Sequence, residues 1–536
     1  MATTLGNLLR LTRSGIVLAQ YGVRFVPSGA RAHASLRLAR WATLPIRALS
    51  WPFRVREPKE RRIAAALTRL GPSYIKLGQF LATRADLIGP ELAGDLGHLH
   101  DKLPPFSVSQ AREAVEDALG GRLEEHFAAF SPAIAAASIA QVHKAAVLDR
   151  GGRRDVAVKI LRPGIEKRFR LDLDSFAFAA RQIERFHPPS RRLRPTAVVD
   201  TLAHSVAIEM DLRLEAAAIS EMSDNLLRQT SGDDAFRVPT VDWRRTAKRV
   251  LTLQWIDGIA ISDHPALLAA GHDLKAIGLT LLRSFLRQAM HDGFFHADMH
   301  QGNLLIDKCG RIVAVDFGIM GRLGATERRF LAEILHGLIT RDYRRVAAVH
   351  FEAGYVPPHH SVEVFAQAMR AIGEPIHGRT AAEISMADLL GQLFAYTEVF
   401  DMATRPELIL LQKTMVVAEG VARSLDPELN IWSAAEPIAR EWVERNYGVV
   451  YRLREAGEGA EALGRMMAEV PRFLEHVERA TRTLADMARH GLRIDDDSIE
   501  RLAAAQAHRN RWTRRALFIG ALALLAIAGW LLATLR

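Results

Sequence analysis

HADMHQGNLLIDKCGRIVAVDFG, residues 296–318, sets three oxygen-bearing side chains around one hairpin. The apolar run LLI (304–306) and the run RIVAVDFG (311–318) flank Asp307-Lys308-Cys309-Gly310, a turn by composition. The chain therefore doubles back between Asn303 and Asp316, so that both can face one point. An amide oxygen and a carboxylate there are hard donors of the kind Mg²⁺ takes. Asp298, five residues before Asn303, sits on the loop in front of them. A zinc reading of the same stretch would use His296 and His300 at i, i+4. The glutamate that zinc proteases carry after the first histidine is replaced by Ala297, and His296 reads better as a brace for the loop.

Asp-x4-Asn followed at hairpin spacing by Asp-Phe-Gly is the catalytic arrangement of protein kinases. Phosphoryl transfer explains the residue types: one carboxylate, Asp298, to orient a hydroxyl or take its proton, and two oxygen donors, Asn303 and Asp316, to hold Mg²⁺ against phosphates. Such a site also needs a strand lysine and a helix glutamate upstream. Lys159 ends VAVK (156–159) on an alternating β-branched run that follows the Gly151-Gly152 turn. Alone it would be read as a lysine reaching for solvent. Its partner is expected at Glu215 in IEMDLRLEAAAISEM (208–222), where Glu209, Asp211 and Glu215 concentrate carboxylates. Asp211 and Glu215 are expected on one helix face at i, i+4. No glycine-rich loop precedes Lys159. AAASIAQVH (135–143) takes its place, and the Cβ of alanine holds the backbone farther from phosphates than glycine does. No Ala-Pro-Glu motif follows Asp-Phe-Gly.

Further out, residues 59–130 read as short amphipathic helices broken at Gly71-Pro72, Gly89-Pro90 and Pro104-Pro105, with Lys76 and Gln79 three apart on one helix face. Helix is expected over 164–228 and 265–292, a strand over 248–256, and helix again from the hairpin to about 510, interrupted near Tyr355-Val356-Pro357-Pro358. There are no internal repeats. The chain has 536 residues, 49% hydrophobic and 25% charged, enough for more than one packed core. Its single cysteine, Cys309, excludes a disulfide framework and any multi-cysteine metal centre. The net charge is +10, and nine arginines with no lysine lie before the first acidic residue, Glu57. The remainder is close to neutral, so no basic face for nucleic acid is expected. Arginines interleaved with Leu, Val, Phe and Trp suit an anionic bilayer surface; a transit peptide or a solvated helix are the alternatives. Residues 516–535 (ALFIGALALLAIAGWLLATL) carry Thr534 as their only polar side chain and match the ~30 Å hydrocarbon core. Arg511, Arg514 and Arg515 before that stretch place the body of the chain in the cytoplasm. A buried C-terminal core helix is the other reading, which an all-round apolar helix beside an arginine cluster argues against.

KLGQ (76–79), AAASIAQVH (135–143), VAVK (156–159), EMD (209–211) with Glu215, HADMHQGN (296–303) and DFG (316–318) occur in order, and together resemble the UbiB family of atypical kinases, also called AarF or ADCK proteins. With VAEGVARSLDPELNI (417–431) the resemblance covers roughly residues 60–430. It implies a bilobal α+β protein-kinase-like fold with an N-terminal helical KxGQ extension, a mostly helical C-lobe and a C-terminal transmembrane helix. The expected division is a basic membrane-proximal segment 1–56, the extension 57–130, an N-lobe with an insert 131–258, a C-lobe 259–440, a helical tail 441–512 and the membrane span 513–536. The resemblance implies ATP binding or hydrolysis with Mg²⁺ in place of ordinary protein phosphorylation, and support of ubiquinone biosynthesis at the bacterial inner membrane. By motif match, Lys159 and Glu215 form an ion pair, Asp298 takes the base position, and Asn303 and Asp316 hold the metal. Ala136, Ala137, Ser138, Ile139, Ala140, Gln141 and Val142 line the nucleotide. Lys76, Gln79, Glu209 and Asp211 form the contacts of the regulatory extension with the active site. A membrane lipid or polyprenylated quinone precursor and the ubiquinone biosynthesis enzymes are the implied partners; a homodimer is left open and nucleic acid is not expected. Three features depart from the usual pattern: Met299 and Gln301 replace two prolines, Ala218 stands where Asn often occurs, and one span replaces two. The alternatives are a catalytically silent nucleotide-binding scaffold and an aminoglycoside-kinase type of phosphotransferase, the latter predicting neither KLGQ nor a membrane tail.

Overall fold

The computed structural model describes residues 4–23, 61–82, 103–149, 151–186, 194–228, 235–377 and 406–447, with a few single positions between them. The expected span at 516–535 lies outside these residues, and among the described ones no helix is long and apolar enough to cross a membrane. The chain divides into two units, Met1–Arg445 and Asn446–Arg536; the architecture below is that of the first. It opens with α1 (Thr4–Gln20), α2 (Arg62–Leu70), α3 (Pro72–Ala82), α4 (Val108–Leu119) and the single turn α5 (Leu123–His126). Three strands follow, β1 (Ala129–Ala136), β2 (Ala140–Asp149) and β3 (Gly152–Leu161), then α6 (Ile165–Phe186), α7 (Pro195–Glu209), α8 (Leu212–Arg228), β4 (Phe236–Arg237), β5 (Val250–Gln254) and β6 (Gly258–Ala260). The rest runs through α9 (His264–Ala269), α10 (Leu274–Arg287), β7 (Phe294–His296), β8 (Leu304–Asp307), β9 (Ile312–Ala314) and β10 (Met320–Arg322). It ends with α11 (Ala325–Thr340), α12 (Tyr343–Glu352), α13 (Val362–His377), α14 (Pro406–Leu425) and α15 (Ile431–Tyr447).

The first lobe is an antiparallel sheet in the order β1-β2-β3-β5. Alternation along β3 decides its two faces. Val156, Val158 and Ile160 are fully buried and pack with Ala111, Ala114 and Val115 of α4, a helix whose start is closed by a Ser107–Gln110 capping box. Lys159 therefore projects from the opposite face, flanked in register by Val142 on β2 and Leu251 on β5. The alanine-rich stretch is not one long loop. It is two strands joined by the short turn 137–139, because alanine packs in a sheet wherever its neighbours supply the ladder.

The helical region 164–228 is three helices, and the last break matters. Leu212 donates its backbone N–H to the Lys248 carbonyl at 2.9 Å, outside any helix. Asp211 lies before α8 and does not share a helix face with Glu215, which corrects the i, i+4 expectation. Its carboxylate instead accepts the Arg213 N–H at 3.2 Å and pairs with the Arg213 guanidinium at 2.6 Å.

The second lobe is built on α10 and α14, which pack closely at Gly278, where a Cβ would sit 3.0 Å from the Ala422 carbonyl oxygen. The expected hairpin is present as β8 and β9, paired from Leu304↔Ala314 to Ile306↔Ile312. It is widened into a four-stranded sheet by β4 and β6, and β7 pairs with β10 beside it. These four partners of two or three residues are too short to show a period in sequence.

Candidate active site

Lys159 is the hub. Its Nζ lies 2.7 Å and 3.0 Å from the two carboxylate oxygens of Glu215, and 3.2 Å from Oδ1 of Asp316. Three separate elements are thereby joined: β3 brings the lysine, α8 the glutamate, and the segment after β9 the aspartate. Burial disfavours the ammonium, but the charges of Asp316 and Glu215 outweigh it and hold the lysine above its ordinary pKa. Burial likewise pushes Glu215 up, against the pull of Lys159 and with the charge of Asp316 adding to the rise. Burial would raise Asp316 too, yet Lys159 and the Gly318 N–H, which donates to Oδ1 at 3.0 Å, win and lower it to about 2. Glu215 also accepts the Phe317 N–H at 3.3 Å, so the glutamate grips the Asp-Phe-Gly backbone as well as the lysine.

The other two predicted groups are held together beside this cluster. Asn303 donates its side-chain N–H to the Asp298 carbonyl at 3.1 Å and to its carboxylate at 3.2 Å. That fixes the amide and leaves its oxygen without a partner among the described residues. Asn303 also accepts the Val315 N–H at its backbone carbonyl at 3.0 Å, next to Asp316 in the chain. Asp316 uses Oδ1 for Lys159 and Gly318 and keeps Oδ2 for another ligand. Both free oxygens are hard donors, so the residues present fit a Mg²⁺ ion. His296 ties the two halves. Its Nδ1 accepts the Asp298 N–H at 3.1 Å, which leaves Nε2 to donate to the Asp316 carbonyl at 2.5 Å. Burial lowers the pKa of this histidine and keeps the ring neutral. A bracing histidine is what the sequence suggested, and Gln288 supports it by accepting the His296 N–H at 3.1 Å.

The stretch 136–142 is divided between a turn and the two strands it joins. Ala137, Ser138 and Ile139 form the turn, while Ala136, Ala140, Gln141 and Val142 belong to the strands. Gln141 is fully buried with its side chain turned inward: its oxygen accepts the Phe106 N–H at 2.9 Å and its amide N–H meets His143 Nε2 at 2.8 Å. It is a structural link to the chain before α4, which no local pattern could reveal. The hydroxyl of Ser138 is buried without a hydrogen-bond partner, which makes it the polar group of the turn still open to a ligand. Arg162, not singled out in sequence, clamps the turn by donating from Nη2 and Nε to the Ala137 carbonyl at 2.8 and 3.1 Å.

The extension reaches this region through a lysine–glutamate pair. Lys76 on α3 pairs with Glu209 at the end of α7 at 2.6 Å, six residues before Glu215. Gln79 makes no hydrogen bond with any described residue, and Asp211 turns to Arg213. Gly78, between Lys76 and Gln79 in the chain, is required sterically: a Cβ there would lie 2.3 Å from Leu99 Cδ1 and 2.7 Å from Leu67 Cδ1.

Comparison with known proteins agrees with the motif order. Residues 98–350 match the model of the ABC1 atypical kinase-like domain, and residues 369–430 that of the UbiB helical domain. A protein from Xanthomonas campestris pv. campestris (strain B100) named "Probable protein kinase UbiB" is 38% identical over 486 residues, 88% of this chain and 83% of its own. The protein of the same name from Xylella fastidiosa (strain M12) is 37% identical over 474 residues, covering 87% and 84%. Among solved structures, "The complex structure of Rv3197-erythromycin from Mycobacterium tuberculosis" aligns with a TM-score of 0.46 at 23% identity over 75% of this chain and 97% of that one, a likeness too slight to add to the domain matches. With the kinase-like domain, the helical domain and this identity over most of its length, the chain belongs to the UbiB family of atypical kinase-like proteins.

Proposed function

We propose that the protein is an atypical kinase or ATPase that binds Mg–ATP at a membrane surface and supports ubiquinone biosynthesis, acting on or exposing a polyprenylated precursor or regulating the enzymes that process it. The observation that carries the nucleotide part is the meeting of Lys159, Glu215 and Asp316 within 3.2 Å, with the oxygens of Asn303 and Asp316 left for a cation. Lys159 is held charged and positioned by Glu215 to meet phosphate oxygens. Asp298, anchored by Asn303 and His296, is placed to orient a hydroxyl or water and to take its proton. Bound Mg²⁺ would supply neutralisation of the phosphate charge. Ser138 and the turn it belongs to would close over the nucleotide.

The membrane part is supported by α1. This helix buries Asn7, Ser14 and Ala19, and leaves Leu5, Leu8 and Leu9 exposed. Asn7 accepts from Ser175 on α6 at 3.1 Å, and Ser14 meets the Tyr74 hydroxyl at 2.5 Å. Polar residues thus hold the helix to the body and leucines face outward, with Arg13 exposed among them. That is the arrangement an interfacial helix needs, and the apolar stretch 516–535 would anchor the same protein from the other end.

The test is phosphate release from Mg–ATP by full-length protein with anionic vesicles, together with a quinone profile of cells lacking it. Asp316→Asn and Lys159→Ala should each reduce turnover by about 100-fold or more, and the cells should accumulate a prenylated precursor. Turnover untouched by either change would overturn catalysis at this site. Mg–ATP binding without turnover would reduce the protein to a nucleotide-responsive scaffold.

A further inference from the structure

We propose that His359, His360 and Asp401 form a binding site for a divalent cation of the zinc type, separate from the nucleotide site, that clasps the segment before α14 to the helical lobe. The two histidines end the loop between α12 and α13, after the Pro357-Pro358 pair. The His360 N–H donates to the Pro357 carbonyl at 3.2 Å, which folds the loop so that the two rings lie with centroids 4.1 Å apart. Asp401 arrives from about forty residues further along the chain. Its position is set by its neighbour Phe400, which is buried in the core of α12 and α13 and meets Phe365 edge-on at 4.9 Å. Asp401 itself has φ 48°, a left-handed conformation that aspartate tolerates better than most residues.

The spacing is that of a coordination shell more than of hydrogen bonds. Nε2 of His359 lies 3.7 Å and Nε2 of His360 3.5 Å from the same oxygen, Oδ2 of Asp401, beyond the range of a good N–H···O bond. All three donor atoms fall within 4.8 Å of one another. Ligands about 2.0–2.1 Å from a tetrahedral zinc are separated by about 3.3–3.4 Å, so a small inward movement completes the set. Nε2 of His360 is also buried without a hydrogen-bond partner, an unmet need that a cation between the rings and the carboxylate would satisfy. Two imidazoles and one carboxylate select zinc and its neighbours over Mg²⁺ or Ca²⁺, which prefer oxygen alone. His359 and Asp401 are exposed, leaving the fourth position to water.

Untagged full-length protein in detergent, with excess Mg²⁺ to occupy the oxygen-donor site, would be titrated with Co²⁺ as a visible stand-in for zinc. One equivalent should bind with the intense d–d absorption of a four-coordinate site, Zn²⁺ should displace it, and Zn²⁺ should raise the melting temperature. His360→Ala and Asp401→Asn should each abolish the absorption and weaken Zn²⁺ binding at least about tenfold, whereas Asp316→Asn should leave the spectrum unchanged. Asp401 is exposed, so Asp401→Asn should keep the metal-free circular dichroism and melting point, which separates lost ligation from lost folding. A wild-type protein that takes up no Co²⁺ in this form, or a signal that survives both ligand changes or disappears with Asp316→Asn, would overturn the site.

Discussion

Two lysine–glutamate pairs lie on either side of the α7–α8 break, and their chemistry is nearly the same. Lys76–Glu209 closes at 2.6 Å with side chains 12% and 14% exposed, and Lys159–Glu215 at 2.7 Å with 15% and 7%. What differs is the company. Lys159 has a second carboxylate, Asp316, at 3.2 Å, which links it to the Asp-Phe-Gly segment. The Lys76–Glu209 pair ties α3 to the end of α7 and acts as a strut. A lysine shared by two carboxylates is part of a cluster with surplus negative charge, which a metal ion can offset while the lysine turns to an incoming anion. Burial and distance alone would have ranked the two alike; the Asp316 carboxylate beside Lys159 is what joins that pair to the hairpin carrying Asp298 and Asn303.

The largest effect should come from Lys159→Ala. It leaves Glu215 and Asp316 facing each other without a cation, and should cost about 3–5 kcal/mol in urea unfolding as well as the nucleotide. Lys76→Met strands Glu209 alone, and a loss of about 2–3 kcal/mol is expected, with Mg–ATP affinity within about twofold of wild type. Were the affinity to fall as far as with Lys159→Ala, the two pairs would be one network and the distinction would fail. Gly78→Ala probes the strut from its steric side. The added methyl meets Leu99 and Leu67, and about 1–2 kcal/mol should be lost through α3 with no change at the nucleotide.

Acid titration should show the smallest effect, because the Asp316 side chain is 43% exposed and partly screened. Its pKa is depressed from 3.8 to about 2, so the stability it lends is complete above about pH 4 and is lost as pH falls toward 2. Glu215 runs the other way: its pKa is raised, so the folded state gains as that carboxyl takes up its proton. Melting temperature followed down the acid limb should flatten in Asp316→Asn and not in Glu215→Gln. A limb of unchanged slope in Asp316→Asn would mean that Lys159 is neutralised by Glu215 alone, and that the second charge contributes little.

Much of this site was legible because its chemistry restricts residue types. Asp298, Asn303, Asp316, Lys159 and Glu215 stood out by residue type and motif order, and the structure links them through Lys159, His296 and Asn303. The β8–β9 hairpin and β3 were legible too, as β-branched runs with turn residues beside them. The β1–β2 hairpin was not, because alanine lacks the contrast on which periodicity depends. Asp211 was misplaced because sequence spacing assumes an unbroken helix, and the Leu212 bond to Lys248 ends it. Gln141 and Arg162 act through backbone groups of Phe106 and Ala137, partners that no side-chain pattern announces. His359 and His360 lie about forty residues before Asp401 in the chain and meet it beside the buried Phe400.

Arg162 follows Lys159 by three residues in the chain, yet its guanidinium fastens the carbonyl of the alanine turn. Lys159 on β3 and the turn, held by Arg162 just after β3, are therefore fastened to one stretch of chain. A flexible glycine flap could fold down on a nucleotide by itself; here any closing stroke has to swing the entire four-stranded sheet. A nucleotide bound as proposed above would therefore meet a turn that moves with the sheet and not apart from it.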